Sequence, residues 1–264
     1  MANRVLVIAP HPDDESIGCG GIIGLHRRLG DRVRAVFLTS GERGLSALPV
    51  AVAQSTREAE ARAAAEVLGI EHLDFLRLPD LGLLETICPG GQQLGAILAA
   101  WMPDVIYLPH AEESHPDHRA ALPIVRGALA QAPGRAQRPS LWAYEVWSPL
   151  VRYDRVEDIS PVIHQKLRAI RCHQSQIREY RHDHAARGLA RYRGVMAACG
   201  RYAEVFRALD LSALRGACRD ALWLCRTTPH LRRLRRVASR LRGPRRRALA
   251  PSEAPVDSAG GSIP

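Results

Sequence analysis

The stretch VLVIAPHPDDE, residues 5–15, joins a short apolar run to a cluster of ionisable side chains. The apolar residues 5–9 predict a buried strand, and residues 17–29 predict a helix after it. One histidine and three acidic residues would then lie where this strand ends. Because ligands of open α/β sheets bind beyond the carboxyl ends of the strands, the stretch indicates both a fold class and the place of a site.

A second cluster, HPDH at residues 115–118, follows another apolar run, VIYL at residues 105–108. Strand and helix patterns alternate between the two clusters. Further strands are predicted at residues 33–38 and 73–76, and helices at residues 54–68, 94–101 and 118–130. This alternation predicts an α/β fold with a Rossmann-like, mostly parallel sheet and helices on both faces. Both clusters would then face one cleft.

The pattern changes along the second half of the chain. Strands are predicted at residues 141–147 and 151–156, and helices at residues 161–172 and 183–198. From these patterns we expect three regions: a catalytic domain at 1–207, an Arg-rich helical extension at 208–247, and a disordered tail at 248–264.

The composition separates the basic end of the chain from the rest. The 264 residues, 46% of them hydrophobic, suffice for one α/β domain with an appendage. Ten arginines and no acidic residue lie between residues 221 and 252, and the remaining 27 basic residues balance the 27 acidic ones. The net charge of +10 therefore belongs to the tail and indicates nothing about the site.

Cysteine spacing and the N-terminal sequence bear on the compartment. The six cysteines contain no C-x-x-C pair, which argues against a disulfide framework or a structural zinc knot. The start lacks a signal-peptide pattern, and no apolar stretch approaches the length of a bilayer span. These features predict reduced cysteines and a cytoplasmic protein.

The first cluster contains metal ligands at a useful spacing. His11 supplies an imidazole and Asp14 a carboxylate, two kinds of ligand that zinc takes. Residues three apart on a turn entering a helix can converge on one ion, and Asp13 would project near that ion without binding it. A helix cap would explain one aspartate but not the whole cluster. The glycines that follow do not complete a dinucleotide fingerprint because Ile23 replaces the third one, so we expect them to permit close helix packing.

The second cluster supplies His115 and His118, with Asp117 between them. An open catalytic zinc site needs three protein ligands, so one of these histidines would complete it and the other would act on substrate. Their spacing does not decide which one does which. Together the two clusters indicate a metal hydrolase, in which a spare carboxylate moves protons beside the ion.

The two clusters resemble the defining motifs of the LmbE-like or PIG-L family of zinc-dependent N-deacetylases. The resemblance rests on APHPDDE at residues 9–15 and HPDH at residues 115–118, and it covers about residues 3–207. Weaker matching stretches are TSGE at 39–42, REAE at 57–60, LPD at 78–80, YEVW at 144–147 and HQSQ at 173–176. The resemblance implies a hydrolase that removes the N-acetyl group from an N-acetylglucosamine-type sugar within a larger conjugate.

The resemblance also implies a role for each cluster residue. One Zn²⁺ per chain would be bound by His11, Asp14 and His118. Asp13 would be the general base that takes a proton from the attacking water. Protonated His115 would stabilise the oxyanion, and Asp117 would hold the imidazole of His115 in place.

Substrate contacts outside the clusters are implied in the same way. Arg57 and Asp80 would contact sugar hydroxyls. Some relatives carry a tyrosine two residues before the first histidine of the second motif, and Glu113 stands there in this chain. Any tyrosine contribution to the oxyanion site is therefore missing or comes from elsewhere.

The residues leave other functions open. An amidase for a different N-acyl conjugate is the nearest alternative, and a metal phosphoesterase is a second, since His and Asp clusters also hold paired metals. A non-catalytic carbohydrate- or membrane-binding protein is a third, but Asp13 and His115 argue against it. The same ligands could also take iron or cobalt.

The arginine-rich stretch at residues 222–247 has three interpretations. It is a solvated extension, an amphipathic helix on an anionic membrane surface, or a nucleic-acid-binding segment. Its few aromatic residues disfavour nucleic acid. Membrane binding would place the protein at the inner face of the membrane. The sequence carries no signal for an oligomeric state.

Overall fold

A single mixed sheet forms the centre of the computed structural model, which describes residues 2–131 and 138–210. The strands are β1 (Arg4–Ala9), β2 (Arg32–Phe37), β3 (His72–Phe75), β4 (Val105–Pro109), β5 (Ser140–Tyr144), β6 (Arg155–Asp158) and β7 (Ala203–Ala208). The helices are α1 (Asp14–Arg28), α2 (Val50–Leu68), α3 (Ile87–Trp101), α4 (Pro116–Gln131), α5 (Ile163–Cys172), α6 (Gln174–Ile177) and α7 (His182–Met196).

The strand order is β3-β2-β1-β4-β5-β7-β6, with β1 and β4 side by side near the middle. Strands β3, β2, β1, β4 and β5 pair in parallel. Strand β7 pairs antiparallel with both β5 and β6. The predicted mostly parallel sheet is therefore confirmed, and the two motif-bearing strands are neighbours whose carboxyl ends meet.

Helices cover both faces of the sheet, as predicted. Val5 and Val7 of β1 belong to one apolar cluster with residues of α1, α2, α5 and α7. Leu6 and Ile8 point the other way, into a second cluster with α3 and α4. All four side chains are fully buried, which explains why the sequence of β1 is continuously apolar rather than alternating.

Glycines bring α1 close to its neighbours. A Cβ atom at Gly20 would lie 2.9 Å from Lys166 Cγ, and one at Gly21 would lie 2.5 Å from Ile159 Cγ2. Side chains at these positions would push α1 away from α5 and the sheet, so the expected packing role of these glycines is confirmed. The close packing fixes the start of α1, which carries Asp14.

Several predicted boundaries were wrong, mainly at helix starts. Helix α2 begins at Val50 rather than at residue 54, and α3 begins at Ile87 rather than at residue 94. Helices α1 and α4 also begin before their apolar pattern does, because their first turns carry the polar residues of the motifs. The strand expected at residues 151–156 lies at Arg155–Asp158, and Val151 is 88% exposed.

Strand β7 was missed altogether, since a short strand with the buried Glu204 in it resembles a loop in sequence. The expected helical extension at 208–247 and the tail at 248–264 lie outside the described residues, apart from positions 208–210. Among the helices that the structure describes, none is long and apolar enough to cross a membrane.

Candidate active site

The two motifs meet at the carboxyl ends of β1 and β4. The ring centroid of His11 lies 4.8 Å from that of His115 and 5.4 Å from that of His118. His115 and His118 occur at the start of α4, and their ring centroids are 5.1 Å apart. The prediction that both motifs face one cleft is confirmed by these distances.

Asp14 lies between two of these histidines. Its Oδ2 atom is 3.3 Å from His11 Nδ1 and 3.2 Å from His118 Nε2. Within residues 2–131 and 138–210, Asp14 Oδ1 is buried and has no hydrogen-bond partner, and the buried His118 Nε2 makes no well-aligned hydrogen bond although Asp14 Oδ2 is close to it. Buried polar atoms are normally paired, and a divalent cation bound by both atoms would satisfy them.

Other combinations of side chains also bring ligand atoms together. Ligand atoms of His11, His115 and His118 lie within 4.8 Å of one another, and so do those of His11, Asp80 and Asp117. The carboxylates of the second set are already engaged, however. Asp80 accepts the backbone N–H of Arg43, and Asp117 accepts those of Leu81 and Leu83 at 2.7 and 3.2 Å.

The unpartnered oxygen of Asp14 therefore distinguishes it from Asp80 and Asp117. This oxygen is free to bind an ion beside His11 and His118, and the assignment of His11, Asp14 and His118 as the metal ligands stays a prediction.

The electrostatics of this cluster are strongly coupled. Burial alone would raise the pKa of Asp14, but the charge of His118 and the hydrogen bond and charge of His11 hold it well below its usual range. Burial alone would lower the pKa of His118, but the Asp14 carboxylate raises it to about 9. Burial likewise disfavours a charged His11, but hydrogen bonds to Asp117, Asp14 and Asp80 outweigh it and raise the pKa of that ring. A cation at this place must therefore displace protons from the histidines.

Asp13 combines burial with an uncommon backbone conformation. Its φ of 131° lies in a region that residues other than glycine rarely adopt. Its carboxylate accepts a hydrogen bond from Arg57 Nη2 at 3.0 Å. Burial raises the pKa of Asp13 to about 6, although the charge of Arg57 opposes the shift. A carboxylate with such a pKa is suited to accept and return a proton near neutral pH.

Glu15 holds the backbone of Asp13, and His173 contacts Glu15. The sequence analysis assigned neither residue a role. The N–H of Asp13 donates to Glu15 Oε2 at 3.0 Å, and His173 Nε2 lies 3.1 Å from Glu15 Oε1. Both side chains are 1% exposed. The HQSQ stretch that contains His173 was a weak family match, and this histidine was the one signal in the sequence that could have indicated a role for the stretch.

His115 is placed by the backbone of the helix that it precedes. The N–H of Asp117 donates to His115 Nδ1 at 3.2 Å, which leaves Nε2 to carry the proton. Burial and the charges of His11 and His118 lower the pKa of His115, and the predicted action of a protonated His115 on the oxyanion stays a prediction. The carboxylate of Asp117 contacts His11 Nε2 at 3.4 Å, and its predicted role in holding His115 stays a prediction.

Arg57 and Asp80 both line the cleft, which has a volume of about 600 Å³. The guanidinium of Arg57 is 4% exposed and donates to the carbonyl oxygens of Pro12 and Gly41 at 2.5 and 2.7 Å. Asp80 Oδ1 lies 3.3 Å from His11 Nε2. The arrangement ties both residues to the first motif, and their contacts with a sugar stay a prediction.

Glu113 occupies the position where some relatives have tyrosine, and its side chain is 1% exposed. Its carboxylate accepts the backbone N–H groups of Val146, Trp147 and Ser148 at 2.7, 3.1 and 3.0 Å. It also lies 4.0 Å from His118 Nδ1. Glu113 therefore anchors the loop after β5, a role that no sequence pattern indicated. A different tyrosine, Tyr180, lines the cleft.

Comparison with known proteins places these motifs in a family. The PIG-L family model, described as GlcNAc-PI de-N-acetylase, matches residues 6–129. The chain is 32% identical over 187 residues to a probable N-acetyl-alpha-D-glucosaminyl L-malate deacetylase 2 of Bacillus cereus, a match that covers 67% of this chain and 84% of that protein.

Solved structures agree on the fold. The N,N'-diacetylchitobiose deacetylase of Pyrococcus horikoshii is 28% identical, with a TM-score of 0.70 over 79% of this chain and 84% of that one. The 4-carboxy-2-hydroxymuconate hydratase GalB of Pseudomonas putida is 26% identical, with a TM-score of 0.66 over 79% of this chain and 96% of that one. The same fold is therefore used by proteins with different activities.

Proposed function

Because the chain belongs to the PIG-L family of deacetylases, we propose that it removes the N-acetyl group from an N-acetylglucosamine-type sugar within a larger conjugate, as a metal-dependent hydrolase. The observation that carries this proposal is the convergence of His11, Asp14 and His118 beside the buried carboxylate of Asp13. A metal site next to a spare base is the arrangement that amide hydrolysis requires.

We assign metal binding to His11, Asp14 and His118. The unpartnered atoms of Asp14 and His118 support this choice, and the mixture of imidazole and carboxylate ligands suits Zn²⁺. When bound, such a cation activates the attacking water and polarises the amide carbonyl. The remaining chemistry falls to the side chains around it.

Asp13 moves the proton. One of its carboxylate oxygens accepts a proton from the attacking water and then returns it to the departing amine nitrogen. The hydrogen bond from Arg57 orients the carboxylate while the charge of Arg57 favours its ionised form. Removing the carboxylate should therefore abolish turnover while the metal ligands remain in place.

His115 stabilises the negative charge that develops on the carbonyl oxygen. With Nδ1 accepting the backbone N–H of Asp117, the Nε2–H group of His115 is the donor available to the oxyanion. One such donor is typically worth about 3 kcal/mol of barrier. His115 lines the cleft and can therefore reach a bound amide.

The cleft suits a sugar with a further group attached. Its volume of about 600 Å³ is in the usual range for small-molecule sites, and Arg57 and Asp80 would hydrogen-bond the sugar hydroxyls. Relatives include proteins named as deacetylases of malate-linked, inositol-linked and chitobiose substrates. We therefore propose a conjugate of N-acetylglucosamine as the substrate class.

Amine release from a panel of conjugates tests this proposal. Zinc-loaded protein would be incubated with free, inositol-linked, malate-linked, nucleotide-linked and lipid-linked N-acetylglucosamine, and products followed by mass spectrometry. We expect the mass loss of one acetyl group from at least one conjugate, absent with Asp13→Ala. Phosphate release with two metals per chain would instead identify a phosphoesterase. Wild-type turnover by Asp13→Ala would contradict the assignment of the base.

The membrane role of residues 222–247 stays a prediction, because this segment lies outside the described residues. Co-sedimentation of the full chain with anionic liposomes tests it. Salt-sensitive binding that disappears when the chain is ended after Asp220 would support the amphipathic-helix interpretation.

A further inference from the structure

A second cavity adjoins the catalytic cleft. It lies between α1, the loop after β5, α7 and the start of β7, has a volume of about 260 Å³, and is less open to solvent than the cleft. Apolar side chains that line it are those of Ile17, Val146, Pro149, Leu189, Ala190 and Val205. The site described above does not use this cavity.

The charged groups at the cavity wall are already paired. Lys166 Nζ donates to the carbonyl oxygen of Ile17 at 2.6 Å and to Glu204 Oε1 at 2.5 Å. Glu145 accepts hydrogen bonds from Arg193 Nη2 and from the backbone of Leu150, both at 2.6 Å. Because these pairs satisfy each other, the wall favours an apolar occupant over a polar or charged one.

Two aromatic side chains separate the cavity from the cleft. Trp147 and His182 line both spaces, and their ring centroids are 5.1 Å apart. The ring of Trp147 also lies 6.4 Å from that of His118, a proposed metal ligand. Glu113 fixes the backbone at Trp147. The cavity therefore begins beside the metal-binding end of the cleft.

The two substituents of the scissile amide place different demands on the protein. The sugar continues into the rest of the conjugate and needs the open mouth of the cleft, whereas an acyl chain ends and fits the more enclosed cavity. Asp80 is next to His11, while Trp147 is next to His118. A sugar at Asp80 would thus direct the acyl group toward Trp147.

We propose that the cavity behind Trp147 and His182 binds the aliphatic chain of an N-acyl group longer than acetyl. This inference rests on the proposed function and extends its substrate class to N-acylated glucosamine conjugates. A cavity of about 150 Å³ with apolar walls holds a benzene molecule, so 260 Å³ has room for a short aliphatic chain. Each methylene buried there should strengthen binding about fourfold.

Binding to the metal-free full-length chain tests the proposal independently of turnover. Isothermal titration would compare N-hexanoylglucosamine with N-acetylglucosamine, and we expect the hexanoyl compound to bind at least about tenfold more tightly. Leu189→Trp should remove this advantage by filling the cavity. Val195→Trp is the matched control because Val195 occurs on the same helix, is 57% exposed and does not line the cavity.

An activity comparison forms the second arm. With zinc-loaded protein and a conjugate from the panel, Leu189→Trp should lower kcat/KM for the hexanoyl form about tenfold and leave the acetyl form within about twofold. Ala186→Leu fills the cavity from another position, and it replaces Leu189→Trp should that variant not fold. A hexanoyl preference in binding without turnover of any conjugate would support the cavity and reject the proposed function.

Two results would overturn the inference. Equal binding of the hexanoyl and acetyl compounds by the wild-type chain would show that the cavity takes no acyl chain. Tighter binding of hexyl N-acetylglucosaminide that Leu189→Trp abolishes would show that the cavity takes the aglycone instead.

Discussion

Glu15 Oε2 accepts the backbone N–H of Asp13 at 3.0 Å. The φ of Asp13 is 131°, which departs most from ordinary backbone geometry among the residues of the first motif. A conformation of this kind costs about 1–3 kcal/mol and persists only where the surroundings impose it. Here Glu15 and Arg57 impose it from two sides, and His173 holds Glu15. The geometry of the proposed base thus depends on residues that do not all line the cleft.

Replacing Glu15 by glutamine should therefore reduce catalysis without removing the metal. The amide nitrogen of the introduced side chain would face hydrogen-bond donors at Asp13, Ser16 or His173, so Asp13 should lose its fixed position. We expect kcat to fall about 10- to 100-fold, with zinc content unchanged by elemental analysis. Glu66→Gln, at an exposed position of α2, serves as control. Unchanged kcat in the Glu15 variant would contradict the positioning role.

Metal binding should distinguish Asp14 from Asp80, two of the three carboxylates near His11. Asp14→Asn should weaken Zn²⁺ binding by about 100-fold or more, because it removes a charged ligand. Asp80→Asn should leave the Zn²⁺ affinity within about tenfold of wild type, since the Asp80 carboxylate would contact the ligand His11 without binding the ion itself. Competition with a chromogenic chelator measures both variants. The reverse order of affinities would favour the set of His11, Asp80 and Asp117.

Zinc affinity should rise with pH between 7 and 9. Asp14 raises the pKa of His118 to about 9 in the cation-free protein despite burial, so the ring carries a proton below that pH and must lose it to bind a metal. Each proton lost makes the apparent affinity increase about tenfold per pH unit. Because the pKa of His11 is raised as well, the slope should be at least about tenfold per unit and should become less steep above the pKa of His118. Chelator competition at constant ionic strength tests this, and a pH-independent affinity would contradict it.

The sequence predicted those parts of the fold in which the pattern of neighbouring residues reflects how they are buried. Residues 5–9 are apolar because β1 is covered on both faces, and the motif follows directly at the strand end. The positions of Glu113 and His173 could not be predicted, because their partners lie 33 to 35 and 158 residues away in the chain. The buried Glu204 concealed β7 for the same reason, since its charge is balanced by Lys166 on helix α5, 38 residues away in the chain.

Glu113 should contribute to stability more than its neighbour Glu112. The Glu113 carboxylate accepts three backbone N–H groups of the loop at residues 146–148 and is 1% exposed. Glu113→Ala leaves those donors without their acceptor, at a cost of about 1–3 kcal/mol for a buried group. The side chain of Glu112 is 69% exposed and pairs with Arg207, so Glu112→Ala should change the free energy of unfolding by less than about 1 kcal/mol.

Urea denaturation of both variants measures this difference. Because the same loop carries Trp147, the tryptophan fluorescence of Glu113→Ala should also shift toward that of a more solvated ring before global unfolding. Equal stability of the two variants would mean that the loop after β5 holds its conformation without Glu113. Glu113, at the position where some relatives carry tyrosine, would then not be needed for the stability of this chain.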